Sequence, residues 1–411
     1  MNGASNGKEA TVHLVTFLGT GRYEETDYHL ESDPKKEVRT RYVARAIAEL
    51  LGAGRVTVLA TEAAENTHGD GLRQDLGHRK VRFERIPDGK TEAELWAQFR
   101  ILDQAMREGN GTLLLDITHG FRSQPFFAAG ALALQRAAGT FAERTVRVLY
   151  GRFLPEAPDR SPIWDLSAMV DLLDWAQAAN LFVGGGSARP LAQTFARMDE
   201  LLRARKKGAI PETYNLATAL NEFADDYATL RVRDLLTKRA PALARRLEAY
   251  GDAAAKLLPM LSPLLARLQG IAEALAVDRL HGPAGHGALA ALARSYVAQE
   301  RYVEAMAVTR EAFVSLHAEG PEATEPGPGF DVDAREAAER AWDDAVKKAT
   351  GNRHAPGEKN LRNDVLHCGF RTDPMGGTSA RKQIEDAVKR LEEAVAKRSS
   401  GAPDPAPGRT S

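Results

Sequence analysis

Two short stretches of this 411-residue chain gather side chains that can do chemistry. The first is GTLLLDITHGFRSQPF, residues 111–126. Its apolar run Leu113-Leu114-Leu115 breaks into Asp116, Thr118, His119, Gly120, Arg122 and Ser123 before apolar sequence resumes at Phe126. A related turn, Gly19-Thr20-Gly21-Arg22-Tyr23, follows the apolar run VHLVTFL at 12–18. Glycines let the backbone turn sharply and let a ligand approach its amides. A helix N-terminus adds free N–H groups and a partial positive charge, which suit phosphate. Thr118 can donate a hydroxyl, His119 can bond or stack, and Arg122 can grip phosphate with its planar fork. Asp116 would repel phosphate, so it either fixes the turn through backbone bonds or meets a ribose hydroxyl. Together these groups describe a nucleotide-sized polar site. Either turn alone also has a plainer reading, in which Asp116 and Thr118 cap a helix and Gly19 and Gly21 only make a turn. GTG is not the dinucleotide fingerprint GxGxxG, which counts against a nicotinamide-dependent oxidoreductase.

The second stretch is RNDVLH, residues 362–367. Arg362 and His367 are five residues apart and diverge by roughly 140° on a helix that turns about 100° per residue. One regular helix cannot make them a compact pair; a helix end or a second chain is needed. Their types suit metal-free RNA cleavage, which needs a base for the 2′-OH, an acid for the leaving 5′-oxygen and cations for the crowded phosphorane. Two Arg–His pairs brought together by a two-fold axis would supply these. Asn363 adds a polar group beside them. The plainer reading is a surface arginine next to a half-buried histidine. Cys368 is expected to be a small apolar residue rather than a nucleophile.

The elements that must position these groups follow from periodicity. Residues 12–18, 55–60, 81–86, 112–117 and 145–150 read as strands. Residues 40–51, 92–106 and 124–138 read as helices. Their alternation predicts an α/β fold, a mainly parallel, doubly wound sheet over roughly the first 165 residues, with ligands beyond the carboxyl ends of the strands. After residue 169 the strand signal stops. Residues 190–275 read as helical, HGPAGHG at 281–287 as a loop, and Tyr302, Met306, Thr309, Phe313 and Leu316 as one helical stripe. The segment 319–331 (EGPEATEPGPGFD) reads as a loop or linker. Residues 334–349 read as a helix, and Ile384, Ala387, Val388, Leu391 and Val395 stripe a last one. The fold class is therefore α/β plus all-α. The end, SSGAPDPAPGRTS, has the composition of a disordered tail.

Bulk composition narrows the class. At 43% hydrophobic residues the chain can build two or three cores. One cysteine excludes an internal disulfide and a cysteine-rich zinc site and fits a reducing compartment. No apolar stretch looks long enough to span a membrane, so a cytoplasmic protein is expected. A net charge of −1 leaves no global basic field, so any nucleic-acid binding must be local. The arginine-rich run at 231–246 is expected to be a solvated helix face rather than an RNA track.

DITHG matches the DxTHG motif of CRISPR-associated accessory proteins of type III systems. RNDVLH matches the RNxxxH form of the Arg-x4–6-His motif of HEPN ribonucleases. The chain thus resembles a CARF–HEPN ribonuclease of the DxTHG group. VTFLGTGRYEETDY and RIPDGKTEAELW are similar to that family's first strand-turn and mid-domain segment. The likeness covers residues 11 to about 165, fades, and returns over about 295–398. The resemblance implies a Rossmann-like CARF ligand-sensing domain over 1–170, a helical connector over 171–294, a HEPN domain over 295–398 and a tail over 399–411. It implies Gly19, Thr20, Gly21, Tyr23, Thr118, His119, Gly120 and Arg122 as ligand-facing residues, with Asp116 anchoring the turn. It implies Arg362, Asn363 and His367 as catalytic. The activity implied is metal-independent cleavage of single-stranded RNA, leaving 2′,3′-cyclic phosphate and switched on by cyclic oligoadenylate, with cyclic tetra-adenylate favoured. No cofactor or metal is implied, and the assembly is a homodimer or higher even oligomer. The competing expectation is a non-catalytic sensor whose helical part only dimerises.

Overall fold

The computed structural model describes residues 12–141, 144–152, 159–205, 211–257, 262–350, 358–368, 370, 372 and 374–399. The expected tail, apart from Ser399, lies outside the described residues. The chain divides into two compact units, Met1–Asp174 and Trp175–Ser411.

The first unit is built on an eight-stranded sheet. Strand β1 (His13–Leu18) lies at its centre, with β4 (Arg55–Ala60) and β5 (Lys80–Arg85) to one side and β6 (Leu113–Asp116) and β7 (Val146–Gly151) to the other. These five strands are parallel. Beyond β7 come β8 (Arg160–Asp165), β2 (Thr26–Leu30) and the edge strand β3 (Asp33–Thr40), with β8 antiparallel to β7. Alternate residues of β1 serve opposite faces. Leu14 and Leu18 join the core under α1 (Val43–Leu50) and α2 (Glu62–Leu76). Val15 and Phe17 join the core under α3 (Glu92–Arg107) and α4 (Gln124–Ala137). Burial on both faces explains why β1, β4 and β6 read as continuous apolar runs. Strand order reverses between β1 and β6, which makes their carboxyl ends the topological switch point.

Three strands and one helix escape the periodicity. β3 (DPKKEVRT) is mostly exposed, as an edge strand can be, and shows no apolar alternation. It pairs antiparallel with the short β2, and β8 joins that pair to the sheet. Helix α2 contains Gly69 and Gly71 and carries little apolar periodicity. Gly71 is needed there, because a β-carbon would lie 2.6 Å from the Tyr42 hydroxyl.

The second unit is helical. Helix α5 (Ser167–Gly185) leads into it, followed by α6 (Arg189–Arg205), α7 (Pro211–Ala228), a short α8 (Val232–Asp234) and a π-helical turn, Leu235–Arg239. Then come α9 (Ala240–Leu257), α10 (Ser262–Leu275), α11 (Pro283–Ala298) and α12 (Tyr302–Leu316). Helices α13 (Val332–Thr350), α14 (Glu358–Leu366) and α15 (Gly377–Ser399) complete it. One apolar core runs from Trp175 to Ala394, so the helices before and after residue 295 share an interior. The loop expected at 281–287 is shorter than its composition suggests: α11 starts at Pro283, and the first-turn Gly285 sits so close to the Leu280 carbonyl that a β-carbon has no room.

Candidate functional site

The two glycine-containing turns meet at the switch point. Asp116, the last residue of β6, is 0% exposed. Its Oδ2 accepts from Thr16 Oγ1 at 2.6 Å, and its Oδ1 accepts from the backbone N–H and hydroxyl of Thr118 at 3.0 and 2.5 Å. The Thr118 hydroxyl in turn accepts the Gly151 N–H at 2.8 Å. Asp116 therefore ties β1, β6 and β7 together, directly and through Thr118, and its charge is met by three donors. Thr118 is committed to the same lock: its hydroxyl faces Asp116 and Gly151.

The neighbouring wall is aromatic. Tyr23 accepts the Gly19 N–H at 2.9 Å and donates to the Gly19 carbonyl at 3.3 Å. Its ring meets His119 edge-on at 4.5 Å between centroids and His68 at 4.6 Å, with Tyr42 at 5.6 Å. His68 comes from α2 and bonds the Gly21 carbonyl through Nε2 at 2.8 Å. The sequence reading missed His68; its helix carries too weak an apolar stripe to be noticed, and no turn chemistry marks the position. Burial pushes the Tyr23 hydroxyl up to about 12. Burial also holds His119 below the ordinary histidine range, with His68 adding to the depression and Asp116 opposing it. His119 Nε2 is buried without a hydrogen-bond partner. A neutral, partly unsatisfied imidazole can bond or stack but offers phosphate no charge at neutral pH.

The backbone is closely approached at two glycines. A β-carbon on Gly19 would lie 3.2 Å from the His119 carbonyl, and one on Gly120 would lie 2.6 Å from Gln124 Oε1. That Oε1 accepts the Phe121 N–H at 2.9 Å, which secures the entry to α4. Thr20, Gly21 and Arg122 are exposed around this frame. The site has an inner lock, an aromatic wall and an outer lip whose arginine is open to an anion.

The RNDVLH residues lie on α14 and its end. Leu361 and Asp364 are buried and hold the helix down. Asp364 Oδ2 accepts the Met375 N–H at 3.3 Å, closing the segment that follows the helix. Arg362 and Asn363 are half-buried and joined, Arg362 Nη1 donating to Asn363 Oδ1 at 3.0 Å. His367 is exposed just past the helix, with its N–H on the Asn363 carbonyl at 2.9 Å. Its ring has no hydrogen bond among the described residues. Cys368 is exposed and left-handed at φ 55°, which turns the chain away from the helix. The structure thus brings Arg362 to Asn363, while the His367 ring has no partner among the described residues.

Among the described residues no helix is long and apolar enough to cross a membrane. No group of three or more His, Cys, Asp or Glu side chains among them is placed to hold a metal ion.

No family model and no curated protein matches the chain. Among solved structures, it is similar to Csm6 of Enterococcus italicus, determined bound to cyclic hexa-2′-fluoro-hexa-dAMP. The TM-score is 0.38 at 12% identity, over 94% of this chain and 93% of that one. A likeness this distant says nothing of chemistry, and the functional reading rests on this chain's own residues.

Proposed function

We propose that this chain is a cyclic oligoadenylate-activated endoribonuclease of type III CRISPR defence, with the ligand site in the first unit and the ribonuclease site on α14. The observation that carries the reading is the locked pair of turns at the switch point, where DITHG and GTGRY converge on one exposed lip. Asp116 is silenced by its three donors, so the lip can accept a polyanion. Thr20, Gly21 and Gly120 offer close backbone, Tyr23 and His119 an aromatic wall, and Arg122 a guanidinium for phosphate.

On α14, His367 moves the proton of the 2′-OH and Arg362 steadies the phosphorane charge. Asn363 orients Arg362 through their 3.0 Å bond. No step in this scheme uses a metal or a cofactor. One chain offers one histidine, whereas the reaction needs a base and an acid. A two-fold homodimer supplies both, and a ring of adenylates, four being favoured, suits two copies of the lip around one ligand. Binding then shifts the population toward the geometry in which the Arg362–His367 pairs align. In this scheme residues 1–170 sense, 295–398 cut and 171–294 connect them, in the cytoplasm.

The test is cleavage of a fluorescent single-stranded RNA with each cyclic oligoadenylate, with and without EDTA. The reading expects ring-dependent, EDTA-resistant cleavage that leaves 2′,3′-cyclic phosphate ends, and no cutting at a 2′-deoxy position. Loss of activity in EDTA, or cleavage of all-deoxy strands, sinks the mechanism. Tight ring binding without any cleavage leaves the sensor reading in its place.

A further inference from the structure

The glycine- and proline-rich segment 319–331 has no part in that chemistry, yet it is stitched down along its length. The Asp331 N–H donates to the Glu322 carbonyl at 2.8 Å, and the Phe330 N–H to the Gly327 carbonyl at 3.1 Å. Glu325 Oε1 accepts from the N–H groups of Leu280 and His281 at 2.6 and 2.8 Å. The segment forms one wall of a cavity of about 510 Å³ inside the helical unit. That volume falls within the roughly 300–1,000 Å³ of small-molecule sites.

The lining divides by chemistry. Leu280, Leu289, Val308 and Phe330 make an apolar side, and Arg231 and Arg233 stand at another. The carboxylates of the lining are already taken: Glu311 pairs with Arg310 and Arg335, and Asp234 with Lys238. Neither Arg231 nor Arg233 has an ion pair among the described residues. Arg231 is exposed and Arg233 half-buried, so both guanidinium groups line the cavity with their charge open to an anion. The backbone around these arginines is also irregular. Leu230 holds φ 56° without being glycine, Gly327 holds φ 131° against the Arg233 guanidinium, and the π-helical turn Leu235–Arg239 begins just beyond. Strain and π-turns of this kind gather at binding sites.

We propose that this cavity binds a small organic anion, an apolar body carrying one phosphate or carboxylate, whose charge is held by Arg231 and Arg233. The apolar body lies against Val308, Leu289 and Phe330. The site is separate from both sites of the proposed ribonuclease and stands or falls independently of that activity.

The experiment titrates the full chain with 1-anilinonaphthalene-8-sulfonate, a flat apolar anion that fluoresces when its body is dry. One saturable site per chain is expected, with displacement by decanoate or AMP but not by decanol. Displacement by AMP alone assigns the site to nucleotides, and by decanoate alone to fatty carboxylates. The double variant Arg231→Ala/Arg233→Ala should bind the probe at least about tenfold more weakly, the loss expected for a charge-assisted contact. Arg294→Ala, which removes a surface arginine paired with Glu392, should bind normally. Val308→Trp fills the cavity without touching the charge and should also abolish probe binding, which keeps the test alive if the double variant misfolds. Displacement by decanol as good as by decanoate, displacement by neither anion, or a folded variant of either kind that binds like wild type overturns the proposal.

Discussion

The end of β6 and the end of α14 both carry the polar residues that drew notice in the sequence, and they are built in opposite ways. Around Asp116 nearly every group is spoken for: Thr16, Thr118 and Gly151 close a lock beneath the lip, and Tyr23 braces Gly19. On α14 the buried Leu361 and Asp364 do the holding, while His367 is exposed and its ring has no hydrogen bond among the described residues. The contrast teaches that the proposed ligand site is preorganised by its own hydrogen bonds, whereas the proposed ribonuclease site is not. A preassembled site recognises; an incomplete one waits for a partner and can be switched.

The sharpest way to break the contrast is His367→Ala. RNA cleavage should fall by two to four orders of magnitude, roughly the contribution of a general acid–base group. Cyclic oligoadenylate binding, followed by calorimetry, should stay near wild type. A variant that still cleaves removes His367 from the chemistry; one that loses binding as well shows that the two sites are not separately built.

The lock gives the next largest effect. Asp116→Ala strips the partner from the Thr16 hydroxyl, buried in β1, and from the N–H of the half-buried Thr118 in the turn after β6. Leaving such groups unsatisfied costs about 1–3 kcal/mol each. Thermal unfolding should shift downward by roughly 2–4 °C for every kcal/mol in a unit of this size. Activator binding should be lost with it. Unchanged stability would mean that the lock is not what shapes the turn.

What could be read from the sequence follows the same division. Strands buried on both faces, β1, β4 and β6, announced themselves as apolar runs, and β5 and β7 were legible from their alternation. The β2–β3 hairpin and β8 were not, because an edge pair needs no apolar alternation and Pro162 interrupts β8. At the site, Asp116 as anchor was one of two open readings, and the three donors it accepts from are those an anchor would use. The inward turn of the Thr118 hydroxyl depends on Gly151, 33 residues away, and local spacing cannot report such a contact. The arginine-rich run was expected to be a solvated helix face, and Arg231, Lys238, Arg245 and Arg246 are exposed; Arg233 is half-buried beside the cavity and Arg239 pairs with Glu222 and Asp226.

A smaller effect probes the lip rather than the lock. Arg122 is exposed and supports no fold contact among the described residues, so Arg122→Ala should leave stability untouched. Activator affinity should drop about tenfold, as for loss of one charge-assisted contact, and full cleavage should return at higher activator concentration. Normal affinity in this variant would take Arg122 out of the site.

The smallest effect concerns pH and the root of β1. His13 is buried, with Nδ1 donating to the Glu108 carbonyl at 3.2 Å and Nε2 accepting from Thr57 Oγ1 at 2.9 Å. Burial lowers it to about 4, and Arg55 and Arg144 push the same way. Between about 4 and the ordinary histidine value near 6.5, the unfolded chain takes a proton that the folded chain refuses. The His13 contribution is therefore fully present above about pH 6.5 and is lost as pH falls toward 4. His119, also depressed by burial, contributes with the same sign. His13→Gln should be less stable than wild type at pH 7.5 and fall less steeply on acidification, so the two stability curves approach each other by pH 4.5. Denaturant unfolding at pH 7.5, 6.0 and 4.5 checks the slopes, and hydrogen exchange of the β1 amides locates the change in the first unit. Parallel curves would show that His13 does not titrate across folding and that the acid sensitivity of this unit lies elsewhere, with His119 the next group to replace.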